Sequence, residues 1–265
     1  MTKTISVLGC GWLGLPLAKR LVEEGFRVKG STTSLTKVAT LEEAQIQAYV
    51  FKVSDSFEGE IKDFFEADIL VLNIPPGRRN PKVETEHPQQ VERVVKEALR
   101  GGVQHMVFIS SSSVYGSHND IVTEMTLPAP MTGAGRALLK AEQLLRQQTI
   151  ALTVLRMAGL FGPGRHPARF LAGKKDLKNA AAPINLVALD DAVSAILKVI
   201  QEEKWGALYN VCADEHPQRK DYYTQKTKEL GLSPPTFLHE DKLTYKVVSN
   251  QKIKAELGLS FQQIS

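Results

Sequence analysis

The sequence predicts an α/β protein: a doubly wound parallel sheet of about seven strands with a smaller C-terminal lobe. Three observations carry that prediction. Short runs of β-branched and aliphatic residues alternate with segments of helical periodicity through most of the 265 residues, the pattern of strands joined by crossover helices. The first such run is followed at once by three glycines in six residues and then by a helical stripe. From about residue 163 the alternation loosens into Gly- and Pro-punctuated segments, which mark a less regular region.

Taken in order, Thr4-Ile5-Ser6-Val7-Leu8 reads as a buried strand, and Leu13, Leu17, Ala18, Leu21 and Val22 follow at helical spacing. Gly25 stops that helix, and residues 26–30 read as the second strand. Residues 48–53 form the third, and 68–74 the fourth, stopped by Pro75-Pro76-Gly77. Val91, Val94, Val95, Ala98 and Leu99 make one stripe of a helix closed by Gly101-Gly102, and 105–110 is the fifth strand. A helix from about 135 to 148 carries Leu138, Ala141, Leu144 and Leu145; strands six and seven follow at 152–156 and 207–211. Crossover connections make such strands parallel and cover both faces of the sheet. The core is expected to span 1–162. Residues 163–265 form a mixed region that returns to the core near 183–211 and builds a small substrate lobe.

In Gly9-Cys10-Gly11-Trp12-Leu13-Gly14 the glycines fall at the Gly-x-Gly-x-x-Gly spacing, between strand and helix. The first permits a tight turn, the second lets backbone approach a pyrophosphate, and the third lets helix pack on strand. Free N–H groups at the helix start then face the negative charge. This is the Rossmann arrangement, and it predicts a dinucleotide held by Gly9, Gly11, Trp12, Leu13 and Gly14. Ligands of such sheets lie beyond the carboxyl ends of the strands. That draws in 31–37, 73–80, 110–118 and 157–170, with Ile74 and Pro75 among the cofactor-lining residues.

Composition narrows the class. Apolar residues make up 43% of the chain, enough for a substantial core, and no stretch of 18 is uninterruptedly apolar, so no membrane span is expected. The first residues enter a strand with no basic region, apolar stretch and cleavage site, which argues against export. Cys10 and Cys212, the only cysteines, form neither a disulfide framework nor a metal-ligand spacing. A cytoplasmic protein without a bound metal is expected, with Cys10 simply a small residue of the turn. The net charge of +4 arises from 33 basic residues interspersed with 29 acidic ones and contains no basic block. That pattern suits an anionic cofactor and substrate better than nucleic acid.

Three further segments carry a family resemblance. They are Ser110-Ser111-Ser112-Ser113-Val114-Tyr115-Gly116, the stretch from Leu155 to Arg165, and Pro183 to Asp191 with Tyr209-Asn210-Val211. With the glycine turn they resemble, over nearly the whole chain, the extended short-chain dehydrogenase/reductase superfamily, in its NAD-dependent epimerase/dehydratase group. Gly-Trp-Leu-Gly in the turn and Ile74 to Arg79 are similar to an atypical bacterial subgroup. The resemblance implies nicotinamide chemistry by a Ser or Thr, a Tyr and a Lys four residues after it. In that scheme tyrosine is the general acid/base and lysine lowers its pKa. It places the serine at Ser111 and gives Tyr115, the Val-Tyr-Gly tyrosine, a mostly structural place with a proton as its alternative use. It also implies a homodimer through the helices after strands four and five.

The Tyr-x-x-x-Lys pair is missing where the resemblance expects it. Aligning Glu142 with the family's usual glutamate puts Ala134 and Leu138 at the two positions, and shifting the register to Lys140 puts Arg136 at the tyrosine. Arg136 and Lys140 are therefore candidates for the missing positive charge. The one Tyr-x-x-x-Lys in the chain, Tyr222 to Lys226, sits in a polar helical segment and reads as accidental. At the end of strand two, where an acid would accept the ribose hydroxyls of NAD, stand Ser31-Thr32-Thr33-Ser34, with Lys37 beyond. Thr32, Thr33, Ser34 and Lys37 favour the 2′-phosphate of NADP, with NAD the alternative. Asp55 is a candidate for the adenine edge or a loop cap. Arg78, Arg79, Arg156, Arg165, His166 and Arg169 follow strands four and six, and Arg78, Arg156, Arg165 and His166 are the candidates for an anionic, nucleotide-sugar-like substrate. Two functions remain open: an NAD(P)-dependent oxidoreductase, epimerase or dehydratase with a displaced acid/base, or a cofactor-binding sensor without turnover.

Overall fold

The computed structural model describes residues 2–77, 80–239 and 243–264. Its elements, in chain order, are β1 (Thr4–Leu8), α1 (Gly14–Glu23), β2 (Arg27–Thr32), α2 (Val38–Glu43), β3 (Gln47–Val53), β4 (Phe57–Gly59), β5 (Ile69–Leu72), α3 (Val83–Arg100), β6 (His105–Ser111), β7 (Ile121–Val122) and α4 (Gly133–Arg146). They continue with β8 (Ala151–Met157), β9 (Gly159–Phe161), β10 (Leu186–Ala188), α5 (Leu189–Gln201), β11 (Leu208–Val211), α6 (Arg219–Glu229), β12 (Val247–Val248) and α7 (Gln251–Leu257).

Eight strands form one sheet in the order β11-β8-β6-β5-β1-β2-β3-β4. β1 pairs in parallel with β2 (Ile5 opposite Val28) and with β5 (Ile5 opposite Ile69). The chain thus winds outward from β1 in both directions, and the strand order reverses at β1, the place where doubly wound sheets bind ligands. The seven strands legible in the sequence are all present. β4 is the addition, an antiparallel edge strand on β3. It closes over an aromatic cluster in which Phe51 meets Phe57 and Phe64 edge to face at 5.9 and 5.1 Å. β1 and β5 are buried apart from the partly exposed Thr4, as a strand covered on both faces must be. β2 carries a buried lysine: Lys29 Nζ donates to the carbonyls of Asp63 and Glu66.

Two compact units divide the chain. One comprises Met1–Val114, Pro130–Arg156 and Val193–Tyr209; the other comprises Tyr115–Ala129, Met157–Ala192 and Asn210–Ser265. The second has its own apolar cluster, in which Ile184, Leu186, Ala213, Tyr222 and Ile264 are buried against Phe161, Tyr223 and Phe261. Tyr222 is thus a core residue, and Lys226 reaches Glu229 at 2.9 Å. That spacing match is used for packing and a helix-surface ion pair.

Candidate functional site

The glycine turn is held from both sides of β1. The Gly9 N–H donates to Ser31 Oγ (2.9 Å) and the Cys10 N–H to the Ser31 carbonyl (2.8 Å), both on β2. From the far side, Asn73, next after β5, donates through Nδ2 to the Gly9 carbonyl at 3.0 Å. Gly9 has φ +103°, and a Cβ there would lie 2.5 Å from the Asn73 carbonyl oxygen; one on Gly14 would lie 2.1 Å from the Gly9 oxygen. The fold itself demands those two glycines. At Gly11 an added Cβ would meet no atom of the described residues within 4 Å beyond its chain neighbours, so none of their contacts requires glycine there. Space left beside the backbone at the middle glycine is what a pyrophosphate needs.

The helix behind the turn begins without a side-chain cap or an acidic residue: Leu13 occupies its N-cap without a side-chain hydrogen bond, and its first turn contains no acid. No Asp or Glu occurs before Glu23, or between Arg27 and Leu41. Partial positive charge at the start of α1 is therefore not neutralised from within. Trp12 is half-buried and Leu13 buried. Cys10 packs: its thiol lies 3.6 Å from the Val7 carbonyl, and burial pushes its pKa up to about 12, the opposite of a reactive thiolate.

At the end of β2, Thr32 is buried and its Oγ1 accepts the Ser34 N–H at 3.2 Å. Ser34 is half-buried with its hydroxyl 2.7 Å from Thr36 Oγ1, while Thr33 and Lys37 are exposed. This rim offers hydroxyls and one cation. Asp55 lies elsewhere in character: its side chain is 99% exposed, with Arg93 3.9 Å away. Ile74 is half-buried and Pro75 exposed after Asn73. Arg78 and Arg79 lie outside the described residues.

Beyond β6, Ser110 and Ser111 behave differently. The Ser110 hydroxyl is buried and donates to Glu142 Oε1 at 2.6 Å. Ser111 is half-buried, and its Oγ accepts the Ser113 N–H at 3.1 Å. Arg156, 3% exposed, gives Glu142 two hydrogen bonds (3.1 and 2.6 Å). That geometry corrects the substrate reading of Arg156: its guanidinium is committed to a buried carboxylate. Arg136 and Lys140 are turned toward α3, where Arg136 donates twice to Glu84 Oε1 (2.9 and 2.8 Å) and Lys140 Nζ lies 3.9 Å from Oε2. They serve an exposed helix-to-helix contact.

In the second unit, Tyr115 is 1% exposed; its hydroxyl donates to Asn210 Oδ1 (2.8 Å) and its carbonyl accepts Lys246 Nζ (2.7 Å). That burial and bonding place Tyr115 among the packed residues of this unit. Arg165 is half-buried, with its N–H donating to the Gly162 carbonyl at 2.9 Å. His166 accepts the Ala168 N–H at Nδ1 (3.3 Å), and burial, helped by Lys226 and Arg169, lowers its pKa. Among the described residues no three His, Cys, Asp or Glu stand close enough to hold a metal ion, and no helix is long and apolar enough to cross a membrane.

Comparison with known proteins agrees with the glycine turn. A family described as NAD(P)H-binding matches residues 9–201. The chain belongs to that family. It is 37% identical over 265 residues to Protein YeeZ of Escherichia coli (strain K12), spanning 98% of this chain and 96% of that protein. Among solved structures it resembles MoeE5 in complex with UDP-glucose and NAD, with a TM-score of 0.80 at 19% identity over 98% of this chain and 94% of the other. It also resembles a UDP-galactose 4-epimerase, with a TM-score of 0.78 at 23% identity and the same coverage. At these identities the two structures establish the doubly wound fold.

Proposed function

We propose that this protein binds NADP(H) in preference to NAD(H) and acts as an oxidoreductase or epimerase/dehydratase on a small anionic substrate of the nucleotide-sugar kind. The observation that carries the cofactor is the contrast between Gly9 and Gly14, which the fold closes, and Gly11, which it leaves open in front of an uncapped, acid-free helix. A bound nicotinamide would supply hydride transfer. The residues present fit it: the open backbone at Gly11 and the positive end of α1 face the pyrophosphate, and the Thr32–Lys37 rim takes the adenosine ribose. Hydroxyls and Lys37 there accept a 2′-phosphate, where a carboxylate would repel it. Ser111, in the turn after β6, orients the substrate oxygen. Arg165 and His166 support an anionic substrate, and the two buried cysteines suit a reducing cytoplasm.

A second reading has its own support. Ala134, Leu138 and Glu142 are spaced four apart and share one stripe of α4, and Glu142 meets the end of β6. The first two bear no titratable group, which favours a sensor of nicotinamide state that does not turn over.

Fluorescence titration tests the cofactor. NADPH is expected to bind with a micromolar Kd and more tightly than NADH, and Thr32→Asp is expected to weaken NADPH by about tenfold or more while sparing NADH. Failure of both nucleotides to bind overturns the proposal; tighter NADH binding by the unaltered protein overturns the preference. Turnover on a panel of carbonyl compounds and nucleotide sugars, abolished by Ser111→Ala, decides for the enzyme. Binding without turnover decides for the sensor.

A further inference from the structure

Glu142 and Arg156 form an ion pair in which the side chains are 1% and 3% exposed. Removing two charges from water is expensive, and well-packed apolar residues would join α4 to β8 at least as well. The pair is also not left to itself. Glu142 Oε1 accepts both Arg156 Nε and the Ser110 hydroxyl, and Oε2 accepts Arg156 Nη2. What the charges add over apolar packing is direction: three elements, β6, α4 and β8, are fixed on one carboxylate.

Ser110 is the residue before Ser111, and its own hydroxyl is turned away into this network. The following turn is gripped again by the other end of α4, where a Cβ on Gly135 would lie 2.5 Å from the Ser113 carbonyl oxygen. Between the two grips, Ser111 Oγ accepts the Ser113 N–H. The turn is thus pinned at Ser110 by hydrogen bonding and at Ser113 by backbone contact, with Ser111 presented between.

We propose that Glu142, backed by Arg156, is the positioning residue for Ser111 and fixes the turn after β6 at the nicotinamide end of the site. This rests on the functional reading given above for Ser111. The test uses the full chain and the double variant Glu142→Leu/Arg156→Met, which keeps the volume and removes both charges together. Glu142→Gln is the second variant, keeping the shape and removing one charge.

Native-state hydrogen exchange reads the positioning. The Ser113 amide is expected to lose about tenfold or more of its protection in the double variant, while Met106 to Phe108 within β6 change by less than about twofold. Equal loss at all these amides, or none, overturns the inference, because a merely stabilising pair would act on β6 as a whole. Ligand binding reads the functional consequence. The variant is expected to bind 2′-phospho-ADP-ribose as the unaltered protein does and to lose the emission change of bound NADPH, as Ser111→Ala does. Combining Ser111→Ala with the double variant is expected to add nothing further; additive effects overturn the inference. Lost protection at Ser113 with unchanged NADPH emission upholds the positioning and overturns the functional reading of Ser111. An unaltered protein that binds neither ligand overturns the functional reading and the inference with it.

Discussion

A methyl group introduced at Gly14 would collide with the Gly9 carbonyl, whereas at Gly11 it would have no atom of the described residues within 4 Å beyond its chain neighbours. The two substitutions therefore separate folding from binding. Gly14→Ala is expected to cost about 2–3 kcal/mol of stability, read by urea denaturation. Gly11→Ala is expected to leave the denaturation midpoint in place and to weaken nicotinamide dinucleotide binding on the order of tenfold or more. Equal losses of stability in both variants would contradict the assignment. The three glycines were legible because their meaning depends on neighbours in sequence. The residues that clamp them were not: Ser31 is 22 positions from Gly9 and Asn73 is 64. Asn73 left one trace, a polar side chain interrupting the apolar run from Ile69 to Ile74. Arg156 misled for the same reason. An arginine after a run of apolar residues looks available until its partner Glu142, on another element, is known.

Helix starts show how differently two elements of the same length class can be finished. Thr132 caps α4, accepting the Gly135 N–H at its Oγ1 (3.1 Å), while α1 begins at Leu13 with no side chain in that role. Thr132→Ala is expected to lower stability by about 1 kcal/mol, measured by chemical denaturation, with dinucleotide affinity unchanged. A loss of affinity without loss of stability would assign Thr132 to the site instead. Parallel strands were easy to read because burial on both faces makes them continuous apolar runs, as in Ile69-Leu70-Val71-Leu72. β4 escaped because three residues, Phe57-Glu58-Gly59, carry too little pattern to announce an edge strand. Lys29 would argue against a buried strand by composition alone. Two backbone carbonyls, from Asp63 and Glu66, make its place tolerable, and neither is visible from position 29.

The molecule as a whole is expected to lose stability in acid, with one buried histidine making an identifiable contribution. His87, on α3, is 2% exposed, and neither ring nitrogen has a hydrogen-bond partner among the described residues. Burial lowers its pKa from 6.5 to about 4. Above pH 6.5 the ring is neutral whether the chain is folded or not, so stability there is unaffected. Between those values the unfolded chain takes up a proton that the folded one refuses, so stability falls as pH drops. The loss amounts to on the order of 3 kcal/mol by pH 4. His87→Leu is expected to remove that part of the acid dependence, read as urea midpoints at pH 7 and pH 4.5; an unchanged slope would exclude His87 as the cause. The order of the large sheet has a consequence for synthesis. β1 is the earliest strand and also a central one, so the half-sheet β1–β4 is complete in sequence by Gly59 while the opposite edge of β1 has no partner until Ile69–Leu72 is made. A nascent chain carries, for the time taken to add those residues, an apolar strand edge open to mispairing. The intervening Glu60–Asp68 segment sets how long that vulnerability lasts.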